Sequence, residues 1–187
     1  MKTKIIIPFA ALAVCCIFGG CVSAPPPEAC DLETSVQMLM ENMRRHPQFT
    51  KNYNAAKTAK GAIPIVCQSP IANKTPRAEV RSIGRAVDDL VRVALFDTGI
   101  FEVKDDNAAD MMLSRIVWGA DGGIENVSAL MNAVGEHEHD APDFIVSGDI
   151  RESLISQGQL TYQLRLAVYN LKTGKVVWEG IQSKINL

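Results

Sequence analysis

The run Glu136-His137-Glu138-His139-Asp140 crowds carboxylates and imidazoles together, and it is where a metal would first be sought. Its spacing argues against one. Histidines at i and i+2 do not share a helix face, the metalloprotease arrangement needs i and i+4, and no cysteine or distant histidine completes a set. The run reads as a solvated helix exit, with no metal. Asp88-Asp89 and Asp105-Asp106 could supply paired carboxylates but read most simply as surface charge. No activated serine, no glycine-rich phosphate loop and no paired cysteine and histidine is present. The expectation is a protein with no catalytic residue and no cofactor.

The chemistry that the spacing does support is acylation. Lys2 and Lys4 precede an apolar stretch of 14 residues, Ile5 to Phe18. That is shorter than the roughly 20 residues that span a bilayer, so it reads as a signal peptide. Phe18-Gly19-Gly20-Cys21 then places small residues directly before a cysteine, as in the bacterial lipobox, which is cut before Cys and lipidated on its thiol. Phe stands where Leu is usual. The alternative is an ordinary leader with a fortuitous cysteine. Acyl chains at Cys21 would contribute about 0.8 kcal/mol per buried methylene, enough for stable attachment without a transmembrane helix.

Cys15 and Cys16 leave with the leader, and Cys30 and Cys67 remain, an even pair in an oxidising compartment that permits a disulfide. Whether they meet depends on a Cα separation that no spacing gives. The other reading is a buried strand cysteine at Cys67.

The 187 residues, 47% hydrophobic and 21% charged, suffice for one domain behind a leader. Beyond residue 20 the chain carries 17 basic and 21 acidic residues, a balance of −4. That is no electrostatic footprint for nucleic acid. The divisions expected are a signal peptide over 1–20, a lipidated cysteine and short Pro-rich tether over 21–30, a helix and basic loop over 31–61, and an α/β domain over 62–187.

The nine residues Val22 to Cys30, with three consecutive prolines, form a stiff tether reaching about 30 Å at most. Asp31 can cap a helix in which Leu32, Val36, Leu39 and Met43 recur at helical spacing, and Pro47 stops it. Gln48 to Gly61, polar and with lysines but no acid, reads as a solvated linker or loop, with a contact for anionic surfaces as the other reading. Unfolded, everything from Val22 to Gly61 could span ~140 Å. Ile63 to Cys67 reads as a buried strand entered at Pro64. After a Thr75 cap and Pro76, the amphipathic run Val80, Ile83, Val87, Leu90, Val91, Ala94 and Leu95 predicts a helix ended by Gly99. Ile100 to Lys104 follows as a strand, making a βαβ unit. Asp110 to Trp118 fits helix or strand and is read as helix, Gly119 to Gly123 as a turn, and the segment around Val127 to Val134 as a short helix.

Three strands close the chain. Phe144, Val146 and Ile150 share one side of the first, with Gly148 between them where a neighbour can come close. Tyr162, Leu164, Leu166 and Val168 alternate against Gln163, Arg165 and Ala167, the pattern of a half-buried strand. Asn170 to Lys175 predicts a tight turn with Gly174 left-handed, after which Val176 and Trp178 are expected on one face.

With these residues laid out, the chain resembles the LpoB family of penicillin-binding protein activators. The carriers are Asn73-Lys74-Thr75, the stretch ending Leu95-Phe96-Asp97-Thr98-Gly99-Ile100-Phe101, Ala141-Pro142-Asp143-Phe144-Ile145-Val146-Ser147-Gly148, and Lys172-Thr173-Gly174-Lys175-Val176-Val177-Trp178. The similarity runs from about Ile63 to Gln182. It implies a single α/β domain resembling the amino-terminal domain of TolB, a mixed four- to five-stranded sheet with an antiparallel C-terminal hairpin and helices on both faces. It implies a lipoprotein of the outer membrane facing the periplasm. The short tether leaves the inner membrane as the other reading. The implied partner is a class A penicillin-binding protein, stimulated allosterically in its glycosyltransferase activity by a monomeric activator. A structural or secretion-assembly lipoprotein related to the periplasmic domain of the curli secretion channel is the other resemblance. Exposed aromatics and arginines are the usual anchors of an interface, which makes Arg77, Arg115 and Trp118 candidate contacts, with a core position as the other reading of Trp118.

Overall fold

In the computed structural model, residues 31–76, 81–104, 114–118, 123–129, 141–154 and 160–185 are described. Cys21, Cys30, Arg77 and the Glu136 to Asp140 run lie outside them.

Helix α1, Leu32–Arg45, starts where a carboxylate can satisfy its first free amides: Asp31 Oδ1 accepts from Thr34 N at 2.7 Å. Glu33 near its start and Arg44 and Arg45 near its end suit the macrodipole. It buries Val36, Leu39, Met40 and Met43 and leaves Met38 exposed.

The expected loop after it is a second helix, α2, Pro47–Lys60. Pro47 sits in the first turn, where its missing N–H costs nothing, and Gly61 closes the helix in the left-handed region at φ 67°. What holds this polar helix down is aromatic. Phe49 is buried, with ring centroids 5.9 Å from Phe101 and 6.1 Å from Phe144, and Tyr53 meets Phe101 edge-on at 5.8 Å while donating to Ile100 O at 2.8 Å. Lys60 reaches Asp143 at 3.4 Å.

Strand β1, Ile65–Gln68, is followed by the two-residue β2, Ala72–Asn73, then α3, Arg81–Asp97, and β3, Glu102–Lys104. Gly99 is left-handed at φ 64°. Asp88 of α3 accepts from Ile71 N at 2.6 Å, which ties the helix to the chain between β1 and β2. Burial pushes the Asp88 carboxyl up, against the pull of the Ile71 amide and Gln68. The long strands β4, Phe144–Leu154, β5, Leu160–Asn170, and β6, Lys175–Ile185, complete one six-stranded sheet. Its order is β3-β1-β4-β5-β6, with β2 beside β4. β1 pairs in parallel with both β3 and β4, whereas β4, β5 and β6 are antiparallel, so the sheet is mixed. Asp143 stitches its start: its backbone bonds to Ile65 O and Leu171 N, and its carboxylate accepts from Ile65 N at 2.8 Å.

The period-2 pattern divides two clusters. Tyr162, Leu164, Leu166 and Val168 join Phe144, Val146, Ile150 and the buried faces of α1, α2 and α3. On the opposite face Ile145, Ala167, Tyr169 and Leu171 meet Ile116, Ile124 and Val127. The segment 114–118, expected in a helix, is a turn leading to an antiparallel bridge between Trp118 and Ile124, and residues 127–129 are helical. An extended end lets the backbone of 117 accept from Glu125 N at 2.9 Å, which a helix would have used internally.

The hairpin turns as expected, with Gly174 at φ 68° and Gly174 N bonded to Asn170 O at 2.8 Å. The pairing then jumps from Tyr169 with Val176 to Val168 with Trp178. Val177 is the extra residue of a β-bulge, which reverses the alternation. Val177 and Trp178 both enter the main core and Val176 goes to the other face, contrary to the expectation that Val176 and Trp178 share one.

Candidate docking surface

The face of the sheet away from α1, α2 and α3 carries a shallow depression of about 320 Å³, lined by residues including Lys74, Trp118, Asp149, Arg165 and Tyr169. At its floor lies Asp149, 4% exposed. A buried carboxylate needs partners, and three elements bring them.

The Asn73-Lys74-Thr75 turn brings the first. Asn73 Oδ1 accepts from both Thr75 N at 2.9 Å and Thr75 Oγ1 at 2.6 Å, closing a tight turn at the end of β2. Lys74 N donates to Ile150 O, and the turn directs Lys74 Nζ to 3.2 Å from Asp149. Arg151, two residues along β4 and so on the same face, grips Asp149 through both Nε and Nη2. Arg165 is Asp149's direct cross-strand partner on β5, 3.8 Å away, and it also holds Glu179 of β6 through two bonds of 2.7 and 3.1 Å. Among the described residues three cations thus face two carboxylates, leaving one positive charge in excess.

Burial alone would raise the Asp149 pKa, but hydrogen bonds and charge from Arg151 and Lys74 outweigh it and hold the carboxyl below its ordinary value. Glu179 is likewise held low by Arg165. A depressed folded pKa gives stability that is fully present above the unfolded value, about 3.9 for Asp, and is lost as pH falls through the folded value. Asp149→Asn should therefore be destabilising near pH 7, with the gap to the parent closing below about pH 4, as read by urea unfolding across pH. A gap constant down to pH 2 would contradict this.

The rim is aromatic. Trp118, 43% exposed, stands edge-on to Tyr169 with centroids 4.9 Å apart. Asn126 fixes the strand end that carries it, accepting from Val117 N at 2.9 Å and donating to Arg115 O at 2.7 Å. Tyr169 is pushed up by burial. Of the candidate contacts, Trp118 lines the depression, Arg115 is exposed outside its lining, and Arg77 lies outside the described residues. Lys74, Arg151, Arg165 and Tyr169 went unrecognised because they are far apart in the chain. The usable signal was the more polar face of β5, where Arg165 and Tyr169 sit four residues apart.

Cys67 is buried on β1, and its proposed partner Cys30 lies outside the described residues. Among the described residues no group of His, Cys, Asp and Glu could hold a metal ion, and no helix is long and apolar enough to cross a membrane. The groups that converge on the depression are fixed donors and an aromatic edge, the equipment of recognition.

Fold and surface together define a small α/β domain with a polar and aromatic depression on its open sheet face. A family model described as the peptidoglycan-synthase activator LpoB matches residues 31–183, and the chain belongs to the LpoB family. Its members are regulators of synthases and not themselves enzymes. The LpoB C-terminal domain from Salmonella enterica is 12% identical with a TM-score of 0.53, over 83% of this chain and 99% of that one. That likeness concerns the fold. The corresponding domain from Escherichia coli is 13% identical with a TM-score of 0.49, over 82% and 97%. No curated protein matches the sequence.

Proposed function

We propose that this protein is a lipid-anchored periplasmic activator that docks as a monomer on a class A penicillin-binding protein and raises its glycosyltransferase activity. The family match over residues 31–183 carries this reading. An activator of this kind acts by binding one state of the synthase better than another, and needs no catalytic residue of its own. The Trp118 and Arg165 surface is the docking face: an exposed tryptophan beside a pre-oriented arginine is the composition of an interface hot spot. The docking test is a pull-down of the protein with the organism's class A penicillin-binding proteins, followed by glycan polymerisation. Arg165→Glu with Trp118→Ala should cost at least about 2 kcal/mol of binding and abolish stimulation. Undiminished stimulation by that variant would move the docking face elsewhere, and failure of the parent protein to bind or stimulate would remove the function.

The anchor is Cys21, which moors the domain to the outer membrane on its periplasmic side. Cys21→Ser should leave the protein soluble in the periplasm or still carrying its leader. Mature Cys21→Ser protein found wholly in the membrane fraction would overturn the anchor.

A further inference from the structure

Between α1 and α3, on the opposite side of the sheet from Asp149, runs a groove of about 270 Å³. Val36 and Met40 of α1 and Leu90 and Ala94 of α3 line it. Beside it α3 exposes two large apolar side chains one turn apart, Val93 at 56% and Phe96 at 71%. A phenylalanine so open on a helix flank is costly in water and marks a surface that gains by being covered. The rim is acidic. Among the described residues Glu33, Glu41 and Asp97 face it with Arg44 as the one cation, a balance of −2. Glu41 is already engaged by Arg44 and Arg45, whereas no ion pair among the described residues involves Glu33 or Asp97. The α1 wall, residues 33 to 44, is about 17 Å long, or three helical turns.

We propose that this groove is a second docking site, for a basic amphipathic helix of a partner protein. Apolar side chains at helical spacing would cover Val93 and Phe96, and lysines or arginines on the flanks would meet Glu33 and Asp97. Both charge and shape select this occupant. An anionic membrane surface or an acidic peptide is repelled by the rim, and a second copy presenting the same groove would oppose acid to acid. Because the sheet separates the groove from the Trp118 surface, both can be occupied at once, making the domain a bridge between two proteins.

The test uses the full-length protein in phosphatidylcholine nanodiscs, with empty discs as reference. The probe is a labelled peptide of ~15 residues, leucine at i, i+3, i+4 and i+7 and lysine elsewhere, followed by fluorescence anisotropy. Saturable binding is expected, weakened at least about tenfold by Val93→Ser with Phe96→Ser and severalfold by Glu33→Lys with Asp97→Lys. The same peptide with glutamate in place of lysine should not bind. Arg165→Glu should leave peptide binding unchanged, which separates this site from the docking face proposed above. Equal binding of the glutamate peptide, indifference to the four groove substitutions, or Phe96-dependent dimers at the concentrations used would each overturn the proposal.

Discussion

Trp178→Ala should lower the unfolding free energy by about 4 kcal/mol, the largest loss expected from one side chain here. Trp178 is 2% exposed and lies in the main core between β6 and the helices. Its Nε1 donates to Asn42 Oδ1 of α1 at 3.1 Å, so it fastens helix to sheet by a polar as well as an apolar contact. Gly180 completes the fit, since a Cβ there would fall 2.4 Å from the Trp178 ring and 2.8 Å from Leu39. Deleting the indole leaves a cavity that a glycine neighbour cannot fill. Trp178→Phe keeps most of the volume and loses the hydrogen bond, at about 1–2 kcal/mol. Denaturant unfolding measures both, and an alanine variant within about 1 kcal/mol of the parent would show that α1 does not depend on this contact.

Gly148→Ala should cost about 3 kcal/mol, at the upper end of the overpacking range. A Cβ at this position would lie 2.3 Å from Arg165 O and 2.7 Å from Leu166 Cδ2. The first of these is backbone in the paired strand and cannot swing aside, so β4 and β5 would have to part where their ladder is continuous. The same displacement would pull Arg165 from Asp149. A near-neutral Gly148→Ala, or one that leaves the Asp149 acid dependence intact, would contradict that coupling.

Most of the frame was legible wherever burial is one-sided and periodic. The cap at Asp31, the stripe of α3, the alternation of β5 and the left-handed Gly174 could each be read from residue type and spacing. Gln48 to Gly61 could not, because lysines, threonines and asparagines dominate it. Yet Phe49, Tyr53, Ala56 and Lys60 recur at helical spacing between a proline and a glycine, and that weak stripe is what the aromatic core holds. β2 exists only through its pairing with Asp149 and Ile150, a tertiary fact with no local signature. The bulge at Val177 escaped because two successive apolar residues fit either register. Of the proposed docking face, only Trp118 drew notice by type. Its companions come from the turn after β2, from β4 and from β5, and nothing short of the strand register places Lys74, Asp149 and Arg165 together.

The ring cluster of Phe49, Tyr53, Phe101 and Phe144 also acts as a knot in a leash. Residues 31 to 60 are wound into two helices that these rings and Trp178 clamp to the sheet, so they cannot be drawn straight without dismantling the core. With the proposed mooring at Cys21, the slack is the ten steps to Asp31, at most ~35 Å. Under the proposed anchoring and docking, the domain's own membrane would set the height at which it meets a synthase, and a partner rooted in the opposite bilayer would itself have to extend across the gap.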